Sequence, residues 1–147
     1  MENLMLQTRE IWTGIALLCG SVMDVRSKKL PVWYMALFGC GSLAVILAAD
    51  AADWQSKVTG LLLGGSILLL GKWSGCIGVA DGVLVVILGF LYGGYECAFV
   101  LMIAVLFAAV MAIGLMSAHK ATAKSRIPFV PFLAAGYIVF LLRGWMV

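Results

Sequence analysis

Apolar residues run along this chain in six long blocks, separated by short segments that are polar or rich in glycine. Most of these blocks are longer than an ordinary strand, so the pattern predicts helices. A helix crosses the apolar core of a bilayer with about 17 to 25 residues, and six such helices would use most of the chain. We therefore predict an all-α polytopic membrane protein with six transmembrane helices, over residues 9–23, 32–49, 58–71, 79–94, 96–116 and 128–145.

The short segment between the fourth and fifth blocks decides the number of helices. It consists of Gly93, Gly94, Tyr95 and Glu96, which is typical of a turn and carries the one charge of a long apolar region. The alternative is a single long helix over both blocks. We expect residues 1–147 to form one transmembrane domain, with no separate soluble domain.

The composition agrees with a membrane protein. Hydrophobic residues make up 64% of the 147 positions and charged residues 12%, whereas soluble domains contain about 25% charged residues. Four cysteines stand apart from one another, without a CxxC pair, so they indicate apolar packing and neither a zinc site nor a disulfide framework: Cys19, Cys40, Cys76 and Cys97. We expect no metal, no cofactor and no nucleic-acid partner.

The positions of the basic residues predict the orientation in the membrane. Seven of the ten lysines and arginines follow the first, third and fifth blocks: Arg26, Lys28, Lys29, Lys72, Lys120, Lys124 and Arg126. Basic loops face the cytoplasm, so loops 1, 3 and 5 are predicted to be cytoplasmic and both termini to lie outside. The same basic loops can contact anionic lipid headgroups.

Two aspartates lie at the predicted cytoplasmic edge of the membrane. Asp24 closes the first helix and Asp81 opens the fourth. Carboxylates are costly in the membrane zone, so those found there usually line a cavity, a proton path or a reactive site. The alternative for Asp24 is an interfacial charge that pairs with Lys28, and the alternative for Asp81 is an N-cap of the fourth helix.

If Asp24 and Asp81 meet across the helices, they form a unit that can perform acid–base chemistry. Two carboxylates a few ångströms apart cannot both ionise, so they share a proton. The ionised one can take a proton from water while the protonated one polarises a carbonyl group. The glycines of residues 74–82 would allow water and a peptide to approach, although an ordinary glycine-rich turn is the alternative.

Three segments of the chain resemble the type IV prepilin peptidases, which are membrane aspartyl proteases of the GxGD group. The stretch of residues 24–31 resembles the first aspartate motif of the family, and residues 78–81 resemble GxGD. Residues 126–136, which begin with Arg-Ile-Pro-Phe-Val-Pro, are similar to the entry into the last helix of the family. The chain looks like the short peptidases of Tad or Flp-type pilus systems.

The resemblance implies a peptidase in which Asp24 and Asp81 are the catalytic pair. It implies that the substrate is a type IV-like prepilin, with a short basic leader before a hydrophobic helix, cleaved at the cytoplasmic face of a bacterial or archaeal cytoplasmic membrane. Such cleavage serves type IV pilus assembly and protein secretion. The oligomeric state stays open. Backbone and motif support is expected from Gly78, Ala80, Gly82, Pro31 and Pro128.

The chain departs from the family pattern at three positions, which keeps other functions open. Ala80 replaces the second glycine of GxGD, Val83 replaces a lysine and Val32 replaces an asparagine. Alanine does not freely adopt a positive φ, so an inactive peptidase-like subunit of a pilus or secretion machine is one alternative. A small proton- or ion-coupled transporter that uses the same acids is another. His119, the single histidine, is expected to be a solvated interfacial residue.

Overall fold

The structure is a computed structural model that describes residues 2–27, 30–48, 54–74, 78–117 and 128–146. These residues contain six α-helices and no strand, which confirms the predicted all-α architecture and the number of helices. The helices are α1 (Glu2–Ser27), α2 (Val32–Ala48), α3 (Trp54–Ser74), α4 (Val79–Tyr92), α5 (Gly94–Ser117) and α6 (Val130–Met146).

The first and third helices are longer than their apolar blocks. At both ends of α1, hydroxyl groups bond within the helix: Thr8 Oγ1 donates to the Leu4 carbonyl at 2.8 Å, and Ser27 Oγ donates to the Met23 carbonyl at 2.7 Å. Polar residues therefore continue the helix where the hydropathy pattern placed its end. Asp24 was predicted to close this helix, but it lies inside the last turn of α1, which ends at Ser27.

A glycine separates α4 from α5, as the turn-like segment predicted. Gly93 has a φ of 87°, a conformation that side chains oppose, and its N–H donates to the Gly89 carbonyl at 2.8 Å. Its own carbonyl accepts from the Cys97 N–H at 3.1 Å, near the start of α5. Gly93 therefore ends α4 and accepts a hydrogen bond from the first turn of α5. The alternative of a single long helix over both blocks is wrong.

Among the described helices, α5 is the one that is long and apolar enough to cross a membrane, with 24 residues and a mean hydropathy of 2.8. Shorter apolar helices cover Val32–Leu47, Val79–Tyr92 and Val130–Gly144. Large apolar side chains are exposed on the outer faces of the helices, for example Leu47, Leu69 and Val110 at 74%, 67% and 63%. An exposed apolar surface of this extent is typical of contact with lipid or with another protein.

Glycines that are spaced four residues apart bring α3 and α4 into close contact. A Cβ atom at Gly60 would stand 1.9 Å from the Gly89 carbonyl oxygen, and one at Gly64 would stand 2.5 Å from the Val86 Cα. Small residues of this kind let two helix backbones approach directly. Among the described helices, α3 and α4 form the most extensive contact.

A partly buried polar cluster joins α1, α4 and α6 at the end of α1 that lies far from Asp24. The Tyr92 and Tyr137 hydroxyls lie 2.7 Å apart, and Tyr92 also donates to Thr13 Oγ1 at 3.1 Å. Tyr137 donates to the Glu10 carbonyl at 3.0 Å, and the Arg9 guanidinium lies 4.6 Å from the centre of the Tyr92 ring. The cluster ties three helices that are distant in sequence.

Candidate active site

Asp24 is one of the few polar side chains that the fold buries, with 7% of its surface exposed. It lies near the end of α1 and points to the start of α6, where its Oδ2 accepts a hydrogen bond from the Val130 N–H at 3.2 Å. A buried carboxylate without a hydrogen-bond donor is strongly disfavoured. The bond to Val130 therefore lets α1 keep an acid in a buried position.

The first turn of α6 offers Asp24 few donors. Pro131 has no N–H, and the N–H groups of Phe132 and Leu133 both donate to the Phe129 carbonyl, at 3.0 and 3.1 Å. Phe129 is thus the N-cap, and Val130 is the first helical residue. The Val130 N–H does not donate within α6 but donates to the Asp24 side chain on α1.

Asp81 is the third residue of α4 and is oriented by its own helix. The N-cap is Gly78, with φ −63° and ψ 136°, and its backbone N–H donates to the Asp81 carboxylate. An acid at the third helical position often reaches back to the N-cap in this way. The alternative that Asp81 is itself the N-cap is wrong, because Gly78 is the N-cap and α4 begins at Val79, two residues before Asp81.

The two carboxylates lie close enough for the charge of Asp24 to act on Asp81. Asp24 lies on α1 and Asp81 on α4, which are far apart in sequence. The helix α2 packs against both of them. Asp24 is buried and Asp81 is half-buried, so solvent screens their repulsion only in part. Lys28, the alternative partner of Asp24, lies outside the described residues.

The supporting residues of the motifs have different structural roles. Ala80 lies in the first turn of α4 and packs against the core, so its backbone needs no positive φ. Gly82 is buried against α3, where a Cβ atom would stand 2.9 Å from the Leu68 Cα. The Pro31 carbonyl accepts from the Tyr34 N–H at 3.1 Å and so begins α2. Pro128 lies two residues before α6.

Two apolar grooves border this region. A groove of about 610 Å³ lies between α1 and α2 and reaches Met23, next to Asp24. A smaller groove, of about 340 Å³, lies between α5 and α6 and reaches Pro128 and Phe129, next to Val130. Both grooves are lined by apolar side chains, and neither Asp24 nor Asp81 is among the lining residues.

Some of the predicted positions lie outside the described residues. These include the glycine-rich stretch 75–77 and the loop that contains His119, Lys120, Lys124 and Arg126. In the part of the chain that the structure describes, no group of three or more His, Cys, Asp and Glu side chains could bind a metal ion. The two carboxyl groups of Asp24 and Asp81 can accept and donate protons, so this site can perform acid–base chemistry.

Comparison with known families identifies the chain. Residues 11–113 match the model of the type IV leader peptidase family, and this range contains both Asp24 and Asp81. The chain belongs to the type IV leader peptidase family. No curated protein and no solved structure matches it.

Membership of the leader peptidase family confirms the resemblance drawn from the motifs. The family consists of membrane proteins, and its members are peptidases. Its name suggests a prepilin-type substrate. The matched range ends before the third motif, at residues 126–136, so the contact between Asp24 and Val130 comes from the structure and not from the family match.

Sequence reasoning did not find the backbone groups that orient the two acids. The Val130 N–H belongs to a motif that predicts only the entry into the last helix. Gly78 was predicted to support the motif through its backbone, but its hydrogen bond to Asp81 was not predicted. The prolines at positions 128 and 131 were the one signal in the sequence for this contact, because proline has no N–H and so leaves fewer backbone donors at the start of the helix. A contact across 106 positions could not be deduced from it.

Proposed function

We propose that this protein is a membrane aspartyl endopeptidase that removes the short basic leader of type IV-like prepilins. The observation that carries the proposal is that Asp24 and Asp81, on two different helices within the range that matches the leader peptidase family, lie near enough for the charge of one to act on the other. Each acid is oriented by a backbone N–H, at the start of α6 and of α4 respectively. Such orientation suits a pair that must act in concert.

The proposed reaction needs one proton on the pair. The ionised aspartate takes a proton from water, and the oxygen of that water bonds to the carbonyl carbon of the scissile peptide. The protonated aspartate gives its proton to the carbonyl oxygen, which forms a neutral tetrahedral diol. One hydroxyl of the diol then returns its proton to this second aspartate as the C–N bond breaks. The leaving amine takes the proton that the first aspartate received from water. The pair thereby returns to its starting state.

The proposed location is the cytoplasmic face of a bacterial or archaeal cytoplasmic membrane. We propose that residues 1–147 form a single six-span domain with both termini outside, which puts Asp24 and Asp81 on the cytoplasmic side. The basic loops support this orientation. Membrane lipids and a prepilin with a hydrophobic helix are the proposed partners, and the chemistry requires no cofactor and no metal.

Ala80 does not weaken this proposal. The alternative of an inactive subunit depends on a positive φ at position 80, which alanine disfavours, but this position has an ordinary helical backbone. The departure from GxGD therefore leaves the backbone beside Asp81 regular. An active peptidase is compatible with alanine at this position.

The test is cleavage of a co-expressed prepilin by Asp24→Asn and Asp81→Asn variants, with membrane levels of each variant measured in parallel. We expect both variants to lose cleavage while their amounts in the membrane stay the same, since an amide cannot exchange the proton. Asp53→Asn is the matched control, because the sequence places this carboxylate in a loop on the other face. Cleavage retained by either Asp24→Asn or Asp81→Asn would overturn the proposal.

A further inference from the structure

We infer that the first turn of α6 positions Asp24 for the reaction, through the Val130 backbone N–H. This inference rests on the proposed function and adds a positioning element to it. The contact is direct: Asp24 Oδ2 accepts from this N–H at 3.2 Å, inside the fold. The entry into the last helix thereby becomes part of the active site.

The arrangement of α6 gives Asp24 one donor with a defined direction. Pro131 supplies no N–H, and the next two N–H groups donate to Phe129 within the helix. In an ordinary first turn several free N–H groups could compete for a carboxylate. Here the Val130 donor selects one orientation of the Asp24 side chain, and the positive end of the helix favours the negative charge at that place.

The donor itself is held firmly relative to α1. The Val130 side chain is fully buried, and Leu133, one turn later, is 1% exposed. Further along α6, Tyr137 donates to the Glu10 carbonyl of α1 at 3.0 Å. The two helices are thus connected at two points, about 10 Å apart along α6. A donor on a rigid, twice-attached helix can determine where the Asp24 carboxylate lies.

Asp24 and Asp81 differ in where their backbone donors lie along the chain. The donor to Asp81 is Gly78, in the same helix start, whereas the donor to Asp24 lies 106 positions away. Movement of α6 relative to α1 would therefore shift Asp24 and leave Asp81 in place. The distance between the two acids depends on how α6 packs.

The test compares Val130→Pro with Val130→Ala. Proline removes the N–H but is well tolerated at the first position of a helix, and alanine keeps the N–H while it removes most of the side chain. For folded, detergent-purified protein we expect Val130→Pro to lower kcat by about 10- to 100-fold relative to Val130→Ala. The KM for prepilin should change by less than about two-fold, because the lost bond does not contact the substrate.

A second variant removes the N–H without a ring, in case Val130→Pro does not fold. Incorporation of the α-hydroxy acid analogue of valine at position 130 replaces the amide by an ester and keeps the side chain. It should lower kcat to a similar degree, again with little change in KM. A kcat equal to that of Val130→Ala, in either donor-free variant that folds, would overturn the inference.

The two proposals fail in different ways. If Asp24→Asn still cleaves prepilin, the proposed function is wrong, whatever Val130→Pro does. If Asp24→Asn is inactive but the donor-free variants match Val130→Ala, the catalytic role of Asp24 stands and the positioning role of α6 is wrong.

Discussion

Gly78 and Asp81 lie so close together that a Cβ atom at position 78 would stand 2.8 Å from Asp81 Oδ2. The backbone of Gly78 is extended, with φ −63° and ψ 136°, a conformation that any residue adopts. Glycine at this position therefore leaves space for the Asp81 carboxylate in its present orientation, and no unusual dihedral angle requires it. That space is where the Asp81 carboxylate accepts the Gly78 N–H.

Gly78→Ala should reduce activity more than stability. The new methyl group would push the Asp81 carboxylate away from its place, and small displacements of a reacting group cost about 10- to 100-fold in rate. The measurement is kcat for prepilin cleavage per folded molecule, with the thermal midpoint determined on the same sample.

The matched control for Gly78 is Gly114→Ala in α5, where an added Cβ atom has no neighbour within 4 Å. This variant should keep full activity. If Gly78→Ala cleaves prepilin as fast as Gly114→Ala, the close contact with Asp81 has no influence on the reaction.

Gly60→Ala should destabilise the protein by about 1–3 kcal/mol or more, which is the usual cost of excess volume in a packed interface. The added Cβ would clash with the Gly89 carbonyl oxygen at 1.9 Å, and backbone atoms cannot rotate away as a side chain can. We expect a lower thermal midpoint in detergent, together with reduced cleavage, since α4 carries Asp81.

Gly65→Ala, on the same helix, is the control for Gly60. An added Cβ atom there meets nothing within 4 Å, and alanine is the better helix former by about 1 kcal/mol. Its thermal midpoint should be unchanged or higher. Equal midpoints for the two variants would contradict the close packing of α3 on α4.

Ala80→Gly, which restores the GxGD pattern, should bring no gain in activity. Position 80 is helical and packs against the core, so glycine adds backbone freedom to the unfolded chain and removes a packed methyl group. We expect a loss of about 0.5–1 kcal/mol in the free energy of unfolding. A several-fold rise in kcat would show that the second glycine has a role beyond helix geometry.

The sequence by itself determined the elements that depend on local properties. Six apolar blocks predicted six helices, and the turn-like segment that begins at Gly93 predicted the break between α4 and α5. Hydropathy, helix breaking and residue size act over a few neighbouring positions, so these features can be predicted without a fold. Helix ends were less accurate, because α1 continues into polar residues on both sides of its apolar block, where hydropathy does not mark the end of a helix.

Only the tertiary structure decided which helices meet and which atoms orient the acids. The sequence could place Asp24 and Asp81 at one membrane edge, yet hydropathy does not say which apolar helix lies beside which. The Val130 donor to Asp24 and the tyrosine cluster of Tyr92 and Tyr137 depend on the packing of α6 against α1 and α4. Hydrogen bonds are short and directional, so contacts across many tens of positions exist only once the helices have packed.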